Sequence, residues 1–246
     1  MNACDGPVQV FLLHGLPLVK EGDDLASLIV SSIQIQEGDV VCIASTIVAK
    51  SEGRFRNLDD YYPGPRATKI ANTIEKDPRF VQAVIEESAE ILFEQPFILS
   101  VTRFGHIGVN AGIDQSNVGE NRILLLPLDP QASAERIRSK LVKDCAVIIT
   151  DTCGRPFRCG VTGVAIGWSG IAALRDWRGL PDMHGRKLEI TLEAIVDEIA
   201  GMANLLMGEA GDGTPVAIIR GLKYPRSGGC LFMPEDKDVI RPYLKR

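Results

Sequence analysis

Short apolar segments alternate with amphipathic ones along most of the chain, and this alternation limits the possible folds more than any other feature. The apolar segments are rich in β-branched residues and are bounded by Gly, Pro, Asp or Asn, which is typical of strands. They predict strands at Val8–Leu13, Asp39–Ala44, Ile98–Val101, Ile123–Leu126, Cys145–Ile149, Val161–Ile166 and Val216–Ile219. The pattern indicates a mixed α/β or α+β protein and leaves the strand order open.

Apolar residues at helical spacing predict the helices that lie between these strands. Asp77 is a typical N-cap because Pro78 follows it at the first helical position. In the last helix the apolar residues recur every three or four positions, and Thr191 is the predicted cap. The predicted helices are Asp24–Ile33, Ala67–Lys76, Pro78–Leu92, Ala132–Lys143 and Leu192–Met207.

Bulk properties narrow the class of protein. A chain of 246 residues is long enough for one large domain with a sizeable core, and we treat residues 1–246 as a single domain. The net charge of -5 lacks the basic excess that is typical of nucleic-acid-binding proteins. No apolar run is long enough to span a bilayer. We expect a cytoplasmic protein that binds neither nucleic acid nor a membrane.

The six cysteines are scattered and do not form a disulfide framework. Cys42 and Cys145 lie in apolar strand-like runs and are predicted to be small core residues. Cys153 and Cys159 leave a zinc pair as an alternative, although their spacing is not that of common zinc sites.

Two polar segments carry oxygen-bearing side chains that suit hard cations. In Arg103–Glu120, Asp114 is followed by Ser116 and Asn117, an arrangement that fits either a magnesium or manganese site or a simple turn. Asp151-Thr152 follows a buried strand, where α/β proteins open their ligand crevice, but a cap or turn is the alternative. Two acidic segments in one chain favour a metal-dependent phosphate site.

Positive and small residues accompany these acidic segments. Arg155 and Arg158 come just after Asp151-Thr152, with Arg175 and Arg178 further along, and guanidinium forks suit phosphate oxygens. Ser45, Thr46 and Lys50 follow another strand and could contact a phosphate, whereas plain surface charge is the alternative for each of these cations. Among the glycines of Met207–Thr214, Gly208 or Gly211 is predicted to end the last helix.

The combination of motifs resembles the coenzyme F420-0:L-glutamate ligase family, which adds glutamate to a deazaflavin coenzyme precursor. The resemblance covers nearly the whole chain, and the chain is similar in length to the stand-alone archaeal type of the family. It is carried by Gly15-Leu16-Pro17-Leu18-Val19, "STIVAKSEGR", "NAGIDQSNVG", "DTCGRPFRCGVTGVAIGWSGIAALRDWRGLPDMHGRKLEIT" and "VDEIAGMANLLMGEAGDGTPVAIIRGL". Two positions depart from the family pattern: Cys153 stands where an aromatic residue is common, and Glu209 where an amide is common.

The resemblance implies a fold, an assembly and a set of ligands. The fold would be α+β, with mixed sheets, two lobes and an intertwined homodimer. Two divalent ions, Mg²⁺ or Mn²⁺, would be bound, one by Asp114 and Asp151 and one by Thr152 and Glu209, and K⁺ is a further candidate. The GTP-binding residues would be Leu16, Pro17, Leu18, Val19, Ser45, Thr46, Lys50, Asn117, Met207, Gly208, Glu209, Ala210, Gly211, Asp212, Gly213 and Thr214.

The implied reaction explains why charged residues and glycines are grouped together. GTP would phosphorylate the lactyl carboxylate of F420-0, and the glutamate amine would displace phosphate; a second glutamate would join through a γ-linkage. The catalytic residues would be Asp114 and Asp151, with Arg155 and Arg158 holding anionic groups of the acceptor. The glycines would let the backbone approach a large, flat substrate. A metal-dependent phosphohydrolase and a non-catalytic nucleotide-binding protein remain the alternatives.

Overall fold

The computed structural model describes residues 6–116, 118–211 and 213–244. Asn117 and Asp212, both predicted to bind nucleotide, lie outside the described residues, as does Cys4. The strands are β1 (Gln9–Leu12), β2 (Val40–Ala44), β3 (Phe55–Asn57), β4 (Ser88–Phe93), β5 (Leu99–Thr102), β6 (Ile107–Val109), β7 (Arg122–Leu124), β8 (Ala146–Gly154), β9 (Val161–Ser169), β10 (Arg175–Asp176), β11 (Leu192–Glu193) and β12 (Val216–Arg220). The α-helices are α1 (Leu25–Ser32), α2 (Ser45–Ser51), α3 (Pro65–Ile74), α4 (Pro78–Glu87), α5 (Pro130–Lys140), α6 (Ile195–Met207) and α7 (Arg241–Leu244).

A five-stranded sheet in the order β1-β12-β2-β8-β9 forms the centre of the fold. Only the β2–β8 pair in this sheet is parallel, and the other neighbours are antiparallel. Smaller sheets pair β3 with β7, β4 with β5 and β6, and β10 with β11. The mixed sheets and helices confirm the α+β class predicted from the sequence.

The central sheet is covered by helices on both faces. Alternate residues of its strands pack against α1, α2 and α5 on one face, and the residues between them pack against α6 on the other. A separate apolar cluster joins α3 and α4 to Leu58, Ile98 and Ile123. Each fully buried Ile or Val side chain in these clusters contributes about 1.5–3 kcal/mol to folding. Cys42 and Cys145 are buried as predicted, and burial raises the pKa values of their thiols to about 12 and about 11.

A buried ion pair stands at the start of β2. Asp39 is fully buried, and both of its carboxylate oxygens accept hydrogen bonds from Arg220, from Nε at 2.8 Å and Nη2 at 2.7 Å. The backbone N–H of Gln36 donates a further bond of 2.8 Å to the same carboxylate. Because the charge is matched in this bidentate way, Asp39 holds β2 against β12 without leaving a buried charge unpaired.

Two predicted helices include residues that the structure places in strands, and the helices predicted as Ala67–Lys76 and Ala132–Lys143 are shifted to Pro65–Ile74 and Pro130–Lys140. The helix predicted as Pro78–Leu92 ends at Glu87, and Ser88–Phe93 is strand β4, because its backbone pairs with β5. The helix predicted as Leu192–Met207 begins at Ile195, because Leu192–Glu193 pairs with β10. The predicted cap at Thr191 is therefore wrong. In both cases pairing with another strand overrides a locally helical pattern.

Two glycines of β9 allow helices to pack closely against this strand. A side chain at Gly163 would collide with the backbone carbonyl of Ala200 in α6 at 2.6 Å, and one at Gly167 would collide with Pro130 of α5. The two helices therefore lie directly on the strand, one on each face. For these two positions the expectation that glycine admits a substrate is wrong, since the close neighbour is a helix.

Candidate functional site

One edge of the central sheet gathers the separate segments that the sequence analysis singled out. The chain leaves β1 at this edge, where the Leu13 N–H donates to Val216 O at 3.0 Å, and it enters β12 from residues 208–215. The Ala44 N–H, at the end of β2, donates to Pro215 O at 2.9 Å, and Ala44 also pairs with Thr150 of β8. Four segments therefore begin or end side by side at this edge: 14–19, 45–50, 151–154 and 208–215.

Strand β8 continues past the end of β2, so Asp151-Thr152, predicted to follow a buried strand, belong to the strand itself, and the cap or turn alternative is wrong. Asp151 to Gly154 remain in the strand because they pair with Val164 to Val161 of β9. Consecutive strand residues face opposite sides. Asp151 therefore faces α2, and Thr152 faces the end of α6.

Asp151 has an unusual electrostatic environment. Its Oδ1 accepts a 2.9 Å hydrogen bond from the hydroxyl of Ser45, the first residue of α2. Burial raises the pKa of the Asp151 carboxyl to about 6; the carboxylates of Asp114 and Glu209 add to the rise, and the bonds from Ser45 and from the Thr152 backbone oppose it. Two other carboxylates therefore act on Asp151 at this edge, and a bound cation would relieve the repulsion that they exert on it.

Thr152 is bonded to the end of α6. Its hydroxyl lies 3.2 and 3.3 Å from the two carboxylate oxygens of Glu209, and Asn204 Nδ2 donates to Glu209 Oε1 at 2.7 Å. Asn204 belongs to this group and was missed from the sequence. The signal was present, since an amide interrupts the apolar last turn of the helix four residues before Gly208.

Asp114 is tied to strand β7 by its backbone. Its N–H and C=O form reciprocal bonds of 2.9 Å with Leu124, and its side chain accepts 2.7 Å from the Ser116 N–H. The bond from Ser116 supports a turn at Asp114 and leaves the metal-binding prediction for the same carboxylate untested. The same carboxylate raises the pKa of Asp151, so Asp114 also lies within electrostatic reach of the site.

The lysine and arginine side chains that could contact a phosphate differ in whether they already bond to other protein groups. Lys50 lies in the last turn of α2, half-buried, and Arg155 and Arg158 lie in the exposed loop between β8 and β9. Arg54, the next candidate after Lys50 for a phosphate contact, is already engaged: it bonds Leu126 O at 2.8 Å and Glu87 at 2.6 Å. The other two downstream arginines also have carboxylate partners, Glu193 at 3.5 Å for Arg175 and Asp176 at 2.6 Å for Arg178.

The predicted nucleotide segments contain both anchored and exposed residues. Gly208 ends α6 with a φ of 77°, and its N–H donates to Asn204 O, which confirms the predicted C-cap. Met207 and Thr214 are buried and bonded to each other, Thr214 Oγ1 donating to Met207 O at 2.9 Å. Residues 209–211 between them are exposed, and so is Leu18 after β1.

The donor set bears on which cation the edge could take. Among the described residues, no three His, Cys, Asp or Glu side chains lie close enough to hold a metal by themselves. The available oxygens come instead from the Asp151 and Glu209 carboxylates and from the hydroxyls of Ser45 and Thr152. Magnesium in nucleotide sites typically uses one or two carboxylates, with water and substrate phosphates completing its shell. These residues fit a cation that binds together with phosphate.

Fold and site together define an α+β protein with an acidic, hydroxyl-lined candidate ligand site at one edge of its central sheet. Residues 15–221 match the family model described as F420-0:Gamma-glutamyl ligase, and the chain belongs to that family.

Relatives of nearly the same length support this membership. The chain is 52% identical over 245 residues to the coenzyme F420:L-glutamate ligase of Archaeoglobus fulgidus, covering 97% of this chain and 98% of the relative. It is 51% identical over 250 residues to the enzyme of that name from Haloarcula marismortui, with 97% of each chain covered. The corresponding Methanosarcina mazei protein is 48% identical over 245 residues, with 96% of each covered. Within the described residues, no helix is both long and apolar enough to cross a membrane.

Proposed function

We propose that this chain is a GTP- and divalent-metal-dependent ligase that joins L-glutamate to the lactyl carboxylate of coenzyme F420-0. A second glutamate is then added through the γ-carboxylate of the first. Family membership supports the class of reaction, since the relatives are named coenzyme F420:L-glutamate ligase. The observation that carries the proposal is the pairing of Asp151 with Ser45 and of Thr152 with Glu209 on consecutive residues of one strand.

The chemistry requires that a carboxylate be activated, because its oxygen is a poor leaving group. An oxygen of the lactyl carboxylate attacks the γ-phosphorus of GTP, GDP leaves, and an acyl phosphate forms. The glutamate amine then attacks the acyl carbon, phosphate leaves with that carboxylate oxygen, and the amine loses a proton. Both steps gather negative charge on phosphate oxygens, which the site must neutralise and align.

The residues at the sheet edge divide this work. Asp151 with Asp114, and Thr152 with Glu209, would hold the divalent ions, which neutralise phosphate charge when bound. Ser45, Thr46 and Lys50 would contact the phosphates, and the segments 16–19 and 207–214 would enclose the nucleotide. Arg155 and Arg158, exposed on the β8–β9 loop, would orient the anionic acceptor.

The assembly and compartment follow from the same resemblance. We propose a two-lobed chain that works as a homodimer in the cytoplasm, with K⁺ as an additional cation. The separate apolar cluster of α3 and α4 supports a second lobe, because it has its own buried core.

Mass spectrometry of F420-0 incubated with glutamate, GTP and Mn²⁺ tests the proposal. We expect products heavier by one and then two glutamyl residues, and none when GTP, metal or glutamate is left out. GTP hydrolysis without amide formation would instead support the phosphohydrolase alternative. Binding of GTP without turnover of either kind would support a non-catalytic nucleotide-binding protein. Replacing GTP by ATP tests the nucleotide preference.

A further inference from the structure

The loop that joins β8 to β9 carries an aromatic residue whose exposure and backbone conformation are not explained by packing in the fold. Phe157 is fully exposed, and its φ of 62° lies in the left-handed region. A bulky L-residue pays a steric penalty in that region, and no burial of the ring compensates for it here. Strained residues of this kind collect where a ligand is bound, so the outlier points to a binding role.

The position of the loop links Phe157 to the proposed acceptor. The last β8–β9 pair is Gly154 with Val161, so residues 155–160 extend from the strand that carries Asp151 and Thr152. The segments proposed for the nucleotide follow β1 and β2 and precede β12, which all lie on one side of β8 in the sheet order. The loop lies on the other side of β8, next to the edge strand β9, and so on the side away from those nucleotide segments.

The residues beside Phe157 add a second argument. Arg155 and Arg158 are both exposed, and within the parts of the chain that the structure describes neither has a carboxylate partner. The loop therefore carries an exposed apolar ring at a position that lies between two exposed arginines in sequence. That arrangement fits a ligand with a planar fused-ring system and anionic groups nearby.

We propose that Phe157 stacks on the planar fused-ring chromophore of the acceptor, while Arg155 and Arg158 contact its anionic groups. The inference rests on the proposed function and adds a specificity-determining residue to it. The ring would hold the chromophore away from the reacting carboxylate, which the phosphate-binding edge positions independently. Loss of the ring therefore weakens acceptor binding and leaves nucleotide and glutamate binding unchanged.

The test compares Phe157→Ala, Phe157→Trp and Phe157→Gly with the unmodified chain. Acceptor binding is measured from the fluorescence of the F420-0 chromophore, and KM is measured separately for F420-0, GTP and glutamate. We expect Phe157→Ala to raise the Kd and KM for F420-0 about fivefold or more, the effect of losing one stacked ring. Phe157→Trp restores binding, and Tyr62→Ala, which removes an exposed ring on another loop, changes none of the constants.

Phe157→Gly separates binding from folding. Glycine adopts a φ of 62° without a steric penalty, so this variant should be at least as stable as Phe157→Ala while it binds F420-0 equally poorly. Unchanged F420-0 affinity in both variants would overturn the inference. A rise in the KM for GTP alone would overturn it in favour of stacking on guanine, and a shift in light-scattering mass alone would make Phe157 a subunit contact. Failure of the unmodified chain to ligate glutamate, with F420-0 binding intact, would count against the proposed function only.

Discussion

Replacing Asp151 by asparagine tests two effects of this carboxylate separately: the folding free energy lost when it is buried, and its contribution to ligation. The amide keeps the size and can still accept the hydrogen bond from Ser45. Burial raises the pKa of Asp151 from 3.8 to about 6, so the folded chain binds more protons than the unfolded chain between these values. Ionisation of Asp151 therefore weakens folding as the pH rises through about 6. The gap between the two pKa values corresponds to about 3 kcal/mol.

We therefore expect metal-free Asp151→Asn to be more stable than the unmodified chain at about pH 7.5, by up to about 3 kcal/mol. For a chain of this length about 3 kcal/mol corresponds to roughly 6–12 °C in Tm. The difference should shrink below about pH 6 and be lost below about pH 4. Urea denaturation followed by circular dichroism, in the presence of a chelator and at a series of pH values, measures it.

The same variant should lose ligation by about a hundredfold or more, because a neutral amide neutralises less of the cation's charge. Asp60→Asn is the matched control: Asp60 is exposed on the surface, and its replacement should change stability by less than about 0.5 kcal/mol. An Asp151→Asn protein that is less stable at neutral pH, or a stability difference that does not vary with pH, would refute the reasoning.

Four further predictions test other parts of the molecule. Lys50→Ala should weaken GTP binding by about 1–3 kcal/mol in calorimetry, with incomplete rescue by Lys50→Arg; unchanged affinity would make this lysine a solvated surface residue. Asp114→Asn should lower ligation about a hundredfold with folding intact, and near-normal turnover at saturating metal would remove Asp114 from the mechanism. Arg220→Ala leaves the buried Asp39 carboxylate unpaired and should cost about 3–5 kcal/mol in urea denaturation, so a loss below about 1 kcal/mol would contradict the ion pair's importance. Light scattering of an active preparation should give the mass of a dimer at micromolar concentration, and a monomer would exclude the proposed assembly.

Much of the fold could be predicted from the sequence because its signals are local. Short apolar, β-branched runs predicted the central strands, and the run Val216–Ile219 was observed as Val216–Arg220. The failures occur where pairing with another strand decides the structure. Ser88–Phe93 and Leu192–Glu193 are strands because β5 and β10 pair with them, and this pairing overrides the helical spacing of their apolar residues.

The candidate site depends even more on long-range structure. Ser45 and Asp151 are 106 positions apart, and they meet because β2 and β8 pair in parallel with Ala44 opposite Thr150. The sequence showed that both residues follow strands but could not show that the strands are neighbours. Phe157 was missed for another reason: its positive φ is a property of the hairpin loop, and the arginines and glycines around it gave the stronger signal.

Labelling the lactyl carboxylate of F420-0 with a heavy oxygen isotope tests the central claim most directly. The proposed ligation passes one carboxylate oxygen to the phosphate that leaves. With glutamate, GTP and Mn²⁺ present, mass spectrometry should find glutamylated F420 and one labelled oxygen in the phosphate released when the first glutamate is added. Phosphate from the second addition should be unlabelled, because that step activates the γ-carboxylate of the first glutamate. Unlabelled phosphate together with unmodified F420-0 would contradict the account, because it would mean that water, and not the acceptor carboxylate, receives the phosphoryl group.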